Sequence, residues 1–417
     1  MNKRVFFPSL LVLFAGIGFM HCSGPSEPTE TDFSVLPRAL TPEETQLAES
    51  SDRFGLKLFR EMVRQQPDSN IFISPLSVSM ALGMTANGAD STTFEAMRAA
   101  LELSDMTEEE SNAAYQSLTE LLTSADPKVQ MDIANSIWYR LGWIFKEDFY
   151  QRCREYFSAI VKGLNFNNPA AADTINAWVK ENTQGKIEEI VDKPIDPAIV
   201  MFLINAIYFK GTWTYEFDPE ETIDDQFTLP DGSRAACKMM TQEADLLYYS
   251  NDEFQMVNLP YGDGLFTMTV LLPRSEVHVD SLIADFTPEN WGLWIGSLDT
   301  AAIHLQFPKF TLEYERELKK VLTALGMGIA FSGADFSRMI EPAGLIWISK
   351  VKHKTFVRVD EEGSEAAAVT SVEMVWESAG SGLTSMRVDR PFIFVIRERT
   401  SGALLFMGKI VEPEWEE

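Results

Sequence analysis

The chain has 417 residues, 45% of them hydrophobic, 23% charged and 11% aromatic, with three cysteines. That much apolar and aromatic material excludes a disordered chain, and three cysteines in this length exclude a disulfide scaffold. A formal charge of −27 repels nucleic acid and anionic headgroups, so neither is an expected partner.

Lys3 and Arg4 precede an uncharged, mostly apolar run from Val5 to Met20. The run has the length of a signal-peptide core and is short for a membrane span, and Pro8 argues further against a span. It ends at Cys22, and the polar, Pro-rich SGPSEPTETD follows. A cysteine between a signal core and a polar stretch has the pattern of a bacterial lipoprotein cleavage site, where the thiol is lipidated. His21 departs from the small residue usual there, and the alternative is a plain secretory signal with an incidental cysteine. The expected organisation is a signal peptide over 1–22, a flexible polar tether over 23–42 and a single domain over 43–417. The protein is expected outside the cytoplasm or in the cell envelope, touching membrane only through a lipid on Cys22.

Thr41-Pro42-Glu43-Glu44 reads as a capping box with Pro at the first helical position. The helix it opens carries Leu47, Phe54, Leu58, Phe59 and Met62, and stops near Pro67. Helical periodicity returns over 76–87, 91–101, 107–123, 145–158, 170–184 and 314–326. Strands are expected over 129–140 and over 199–209, the latter nearly all apolar, as in a strand covered on both faces. Hairpins are expected over 254–259 with 265–272 and over 391–397 with 403–411. With no Ser/Gly linker and no internal repeat, the body reads as one continuous mixed α/β domain. Cys153 in a helical stretch and Cys237 in a strand-like one are expected to be inert buried thiols, although export would permit a disulfide between them.

Enzyme signatures are scarce. There is no HExxH, CxxC, GxSxG, GxxxxGK[ST] or strand-preceded GxGxxG. Four histidines, at 21, 278, 304 and 353, are a thin supply for metal ligands or general bases. A Ser-His-Asp triad or a carboxylate pair leaves no local signature, so catalysis stays open on these grounds.

One segment fits neither a core nor an ordinary loop. About 28 residues separate Gly363 from Pro391, which is long for a connection. Its second half carries turn formers, Gly380 and Gly382, but its first half is small and β-branched. At period two, Ser364, Ala366, Ala368, Thr370 and Val372 form a slim, uncharged face, whereas Glu365, Ala367, Val369, Ser371 and Glu373 form the face with both charges. The segment can therefore become a strand that slips between neighbours. An ordinary sheet strand or a lid is the plainer alternative.

Here the chain resembles the serpin family over roughly 43–415. DEEGSEAAA is similar to the serpin hinge, and VDRPFIFVIRERTSGALLFMGKIVEP to the family's C-terminal signature. NIFISPLSVSMALGMTANGA, INAWVKENTQGKI, LINAIYFKGTW and HKTFVRVDEEG also resemble family blocks, in the family's order. The resemblance implies an α+β fold with three β-sheets, eight or nine helices and an exposed reactive-centre loop over about 361–388. It implies a monomer that is no enzyme, needs no cofactor or metal, and traps a target protease as a covalent acyl-enzyme. The amino-side half of the cut loop then enters the central sheet; about 16 residues at roughly 3.3 Å each carry the protease on the order of 50 Å. The alternative is a non-inhibitory serpin acting as a binding or chaperone protein, against which the small residues of the hinge argue.

The resemblance also assigns residues. Counting along the loop from Gly363 places the scissile bond at Glu377-Ser378, with Trp376 and Met374 as the neighbouring alternatives. Glu361, Gly363, Ser364, Glu365, Ala366, Ala367 and Ala368 match the hinge. Ser74, Ser77, Asn205 and His353 match the shutter beneath the sheet. Trp213 matches the breach, where Glu361 and Lys309 would pair. Glu377 points away from trypsin-like targets, towards serine endopeptidases that prefer Glu or are broad in specificity, or towards cysteine proteases. The helix expected over 107–123 is acidic where heparin-activated serpins are basic, so heparin activation is not expected.

Overall fold

The structure, a computed structural model, describes residues 35–341, 346–364 and 383–415. The first helix, Pro42–Gln65, opens on the expected capping box: the Thr41 side chain accepts from the Glu44 amide at 3.2 Å, and the Glu44 carboxylate accepts from the Thr41 amide at 2.8 Å. Ahead of it, Leu36 is buried and Arg38 pairs with Glu44 at 2.6 Å.

Nine α-helices and three sheets are found among the described residues. The largest sheet runs in the order Ile71–Ile73, Leu404–Ile410, Phe392–Glu398, Phe266–Pro273, Phe254–Tyr261, Arg234–Ser250, Asp299–Pro308 and Thr384–Arg387, and Ile223–Thr228 also pairs with Arg234–Ser250. The second runs Phe310–Glu317, Lys352–Val359, Gly363–Ser364, Met201–Thr212, Val129–Arg140 and Ile160–Leu164. A two-stranded ribbon joins Ile144–Phe145 to Ile340–Glu341.

Met201–Thr212 is apolar on both faces because each face meets its own core. Ile207 and Phe209 join the main core, while Ile204 joins a smaller one with Trp138, Ile175, Val179 and Ile187 beside the helix Ala170–Asn182. The expected hairpins form in register, Val257 opposite Val270 and Val395 opposite Met407.

Residues 314–317, expected as helix, are strand instead. Phe310, Leu312 and Tyr314 are buried while Glu313 and Glu315 face out, a period of two that an overlapping helical pattern masks. Helix begins there only at Lys319: the α-helical turn Lys319–Leu322 continues as a π-helical turn over Thr323–Met327. The long strand Arg234–Ser250 and the strand Asp299–Pro308, with Ile303, Leu305 and Phe307 fully buried, were not anticipated in full. Cys153 and Cys237 are buried and free. Burial pushes the Cys237 thiol up to about 11 and the Cys153 thiol higher, which leaves both inert at neutral pH. Among the described residues no helix is long and apolar enough to cross a membrane.

Candidate functional site

The second sheet has an unusual centre. Its two middle strands, Met201–Thr212 and Lys352–Val359, each run antiparallel to the two-residue strand Gly363–Ser364 between them. Gly363 lies opposite Thr212, and Ser364 lies opposite both Gly211 and Val359. Among the described residues the two long strands pair with this short one and not with each other.

A tight turn makes the entry. The Asp360 amide donates to the Gly363 carbonyl at 3.0 Å, and the Glu362 amide donates to the Asp360 carboxylate at 3.2 Å. Gly363 is required by close approach: a Cβ there would run into the Gly211 carbonyl and stand 2.8 Å from the Thr212 Cα. Ser364 is 1% exposed, and its hydroxyl lies 2.5 Å from that of Tyr261.

Trp213 closes the entry from one side. Its ring stacks on Tyr261 at 4.4 Å, its indole N–H donates to the Asp360 carbonyl at 2.9 Å, and its amide donates to the Glu362 carbonyl at 2.8 Å. Glu361 accepts from Lys309 at 2.6 Å and from the Thr222 hydroxyl at 2.7 Å. Burial raises the Glu361 carboxyl, but these donors outweigh it and hold the group below its usual range.

Lower in the sheet, Ser74, Ser77, Asn205 and His353 come together. The Ser74 amide donates to His353 Nε2 at 3.0 Å, and the Ser77 amide donates to the Ser74 hydroxyl at 3.2 Å. The Ser77 hydroxyl donates to the Asn205 carbonyl oxygen. The Asn205 amide group donates in turn to Asn135 at 2.7 Å, and Asn135 to the Phe157 carbonyl at 2.9 Å. Burial pulls His353 down to about 4, so its Nε2 is an acceptor at neutral pH.

The structure therefore brings Glu361, Gly363, Ser364, Trp213 and Lys309 to one end of the sheet and Ser74, Ser77, Asn205 and His353 to its middle. Cys22, Glu365, Ala366, Ala367, Ala368, Glu377 and Ser378 lie outside the described residues. Sequence reasoning missed Tyr261 and Asn135. Tyr261 sat in a hairpin connection and gave no sign of its partner. Asn135 did give one, a polar residue inside a buried strand, and its opposite number in register is Asn205.

Comparison with known proteins places the fold. The family profile described as Serpin (serine protease inhibitor) matches residues 49–413. Human neuroserpin is 33% identical over 370 residues, 86% of this chain and 90% of that protein. Among solved structures, the thermophilic serpin tengpin in its native state matches with a TM-score of 0.82 and 31% identity, over 91% of this chain and 96% of that one. Human thyroxine-binding globulin matches with a TM-score of 0.82 and 27% identity, over 89% and 99%. A profile spanning nearly the whole body, with a relative 33% identical over 86% of the chain and solved structures that share the fold, shows that this chain belongs to the serpin family, whose members are typically protease inhibitors.

Proposed function

We propose that the chain is an inhibitory serpin, a suicide substrate that traps its target protease as a covalent acyl-enzyme. The observation that carries this reading is the seating of Gly363 and Ser364 between two strands that are not paired with each other among the described residues. Antiparallel addition of the residues after Ser364 would satisfy backbone donors and acceptors along both strands. The slim face from Ser364 to Val372 suits that path, because a charge on it would have to be buried. The match to thyroxine-binding globulin shows the fold on a protein named for binding a small ligand, but Ser-Glu-Ala-Ala-Ala after Gly363 favours insertion.

In this reading protease attack falls at Glu377-Ser378, and Ser364 to Ala368 lead the insertion. Ser74, Ser77, Asn205 and His353 act as the shutter, and Trp213, Lys309 and Glu361 as the breach. The target is a serine or cysteine endopeptidase that accepts Glu. Residues 1–22 are a signal peptide of the bacterial lipoprotein type, and 23–42 form a tether whose last residues reach the first helix. The domain over 43–417 acts as a monomer at the cell surface, held by lipid on Cys22.

Incubation with a panel of proteases tests the reading. The expected result is an adduct stable in SDS and a released C-terminal peptide whose mass begins at Ser378. Glu377→Arg should extend inhibition to trypsin. Cleavage by every protease without any adduct overturns it.

A further inference from the structure

Glu414 and Trp415, the last described residues, lie beside the proposed breach. The Thr311 amide donates to the Glu414 carbonyl at 2.6 Å, which covers the start of the edge strand Phe310–Glu317. That bond sets the half-buried Trp415 against two cations: Lys309 Nζ lies 4.1 Å from the ring centroid and the Arg358 guanidinium carbon 4.3 Å. Each cation also holds one carboxylate of the turn that leads into the hinge. Lys309 pairs with Glu361 at 2.6 Å and Arg358 with Asp360 at 3.5 Å. One indole thus lies against both ion pairs of the turn.

We infer that Trp415 is a positioning residue for the hinge: through Lys309 and Arg358 it holds the Asp360–Glu362 turn, and so keeps Gly363 and Ser364 seated in the sheet. An aromatic face attracts both cations, and its bulk keeps water from the two carboxylates, which strengthens their pairing. The same turn is fixed from the other side by Trp213 and by the Phe217 amide, which donates to the Glu361 carbonyl at 3.0 Å. Loss of the indole leaves the carboxylates paired but wetter, so the turn opens more often and the first inserting residues leave the sheet. The consequence for inhibition rests on the proposed function. A hinge that is seated part of the time starts insertion late, and deacylation gains on it.

The test compares Trp415→Ala, Trp415→Phe and the full wild-type chain. The first measurement is amide exchange of Trp213 and Phe217 in the free protein, whose acceptors are the Glu362 and Glu361 carbonyls. Trp415→Ala should accelerate both about tenfold, with the Val395 amide inside the largest sheet unchanged, and Trp415→Phe should restore most of the protection. Unchanged exchange at Trp213 and Phe217 in Trp415→Ala overturns the proposal.

The second measurement is the fraction of inhibitor cut without forming adduct, which should rise about threefold in Trp415→Ala and return with Phe. A fall in melting temperature with unchanged partition would show a structural clamp with no part in inhibition, and would overturn the positioning role. If the wild type forms adduct with no protease, the proposed function fails, while the exchange measurement still decides whether Trp415 holds the turn.

Discussion

The hydroxyls of Ser364 and Tyr261 lie 2.5 Å apart, with both residues almost wholly buried. Burial holds the Tyr261 phenol well above its usual range, so it stays a neutral hydroxyl able to donate or accept. The first side chain of the slim face is thus already desolvated and satisfied before any bond is cut. Strand insertion in the proposed mechanism therefore starts from a nucleus two residues long, and its later steps add neighbours to an existing ladder.

Ser364→Arg should turn the inhibitor into a substrate. A guanidinium at this position would lose its hydration beneath the sheet and face the Tyr261 hydroxyl, at a cost of several kcal/mol. Each 1.4 kcal/mol on the insertion barrier slows it about tenfold, whereas deacylation is untouched because the scissile region is unchanged. The variant should be cut at the same bond as wild type, with active protease recovered and little adduct on a gel. Stoichiometric adduct from this variant would show that burying this side chain is not what traps the protease.

Gly363→Ala should unseat the hinge by backbone collision. The added Cβ meets the Gly211 carbonyl and the Thr212 Cα, and neither is a flexible side chain that can swing away. The short strand must then leave the sheet. Faster amide exchange at Trp213 is expected, together with a rise in the fraction cut without adduct. A Gly363→Ala protein that protects Trp213 as well as wild type would mean the strands can spread to admit a methyl group.

Much of this was legible in residues. The capping box at Thr41, the doubly covered strand around Ile204 and Ile207, and the two hairpins follow from local pattern, and local pattern is what a single sequence displays. The strand Phe310–Glu317 was misread because its apolar spacing also suits a helix and its pairing partner lies some forty residues on. Ser74, Ser77, Asn205 and His353 were found through the family resemblance, since nothing in their spacing announces that they meet. Tyr261 and Trp415 leave no sign in the sequence, and Asn135 shows only as a polar residue inside a buried strand. Their roles come from partners across 103, more than 50 and 70 residues of chain, a separation that leaves no periodic trace.

Buried His353 should make stability fall in mild acid. His353 sits at about 4 in the fold against 6.5 in the unfolded chain. Between these values the unfolded state binds the extra proton, so stability rises with pH, is fully present above 6.5 and is lost as pH drops towards 4. The interval corresponds to roughly 3 kcal/mol. Protonation also removes the acceptor that the Ser74 amide uses. A variant with His353→Gln lacks this titration, so its melting temperature should fall less steeply than wild type between pH 6.5 and 4.5. Parallel curves for the two proteins over that range would remove His353 as the source.

The register of the seated hinge fixes where each later loop residue should arrive. Ser364 lies opposite Gly211 on one side and Val359 on the other, and both pairings are antiparallel. Six residues further along, Thr370 should lie level with Asn205 and His353, between the two halves of the shutter. Its hydroxyl would enter a ring of Ser77, Asn205 and His353 as a donor or acceptor. Thr370→Val keeps the shape and loses that hydrogen bond, so it should lower the stability of the cleaved form by about 1 kcal/mol while adducts still form. Thr370→Arg places a charge there instead, and insertion should stall with the shutter half open. In that case the protease is carried only part of the way, and adducts should form but release active enzyme over hours. If Thr370→Arg traps protease as durably as wild type, residue 370 does not enter the sheet at the level of His353, and the loop inserts in a different register from the one Gly363 and Ser364 set.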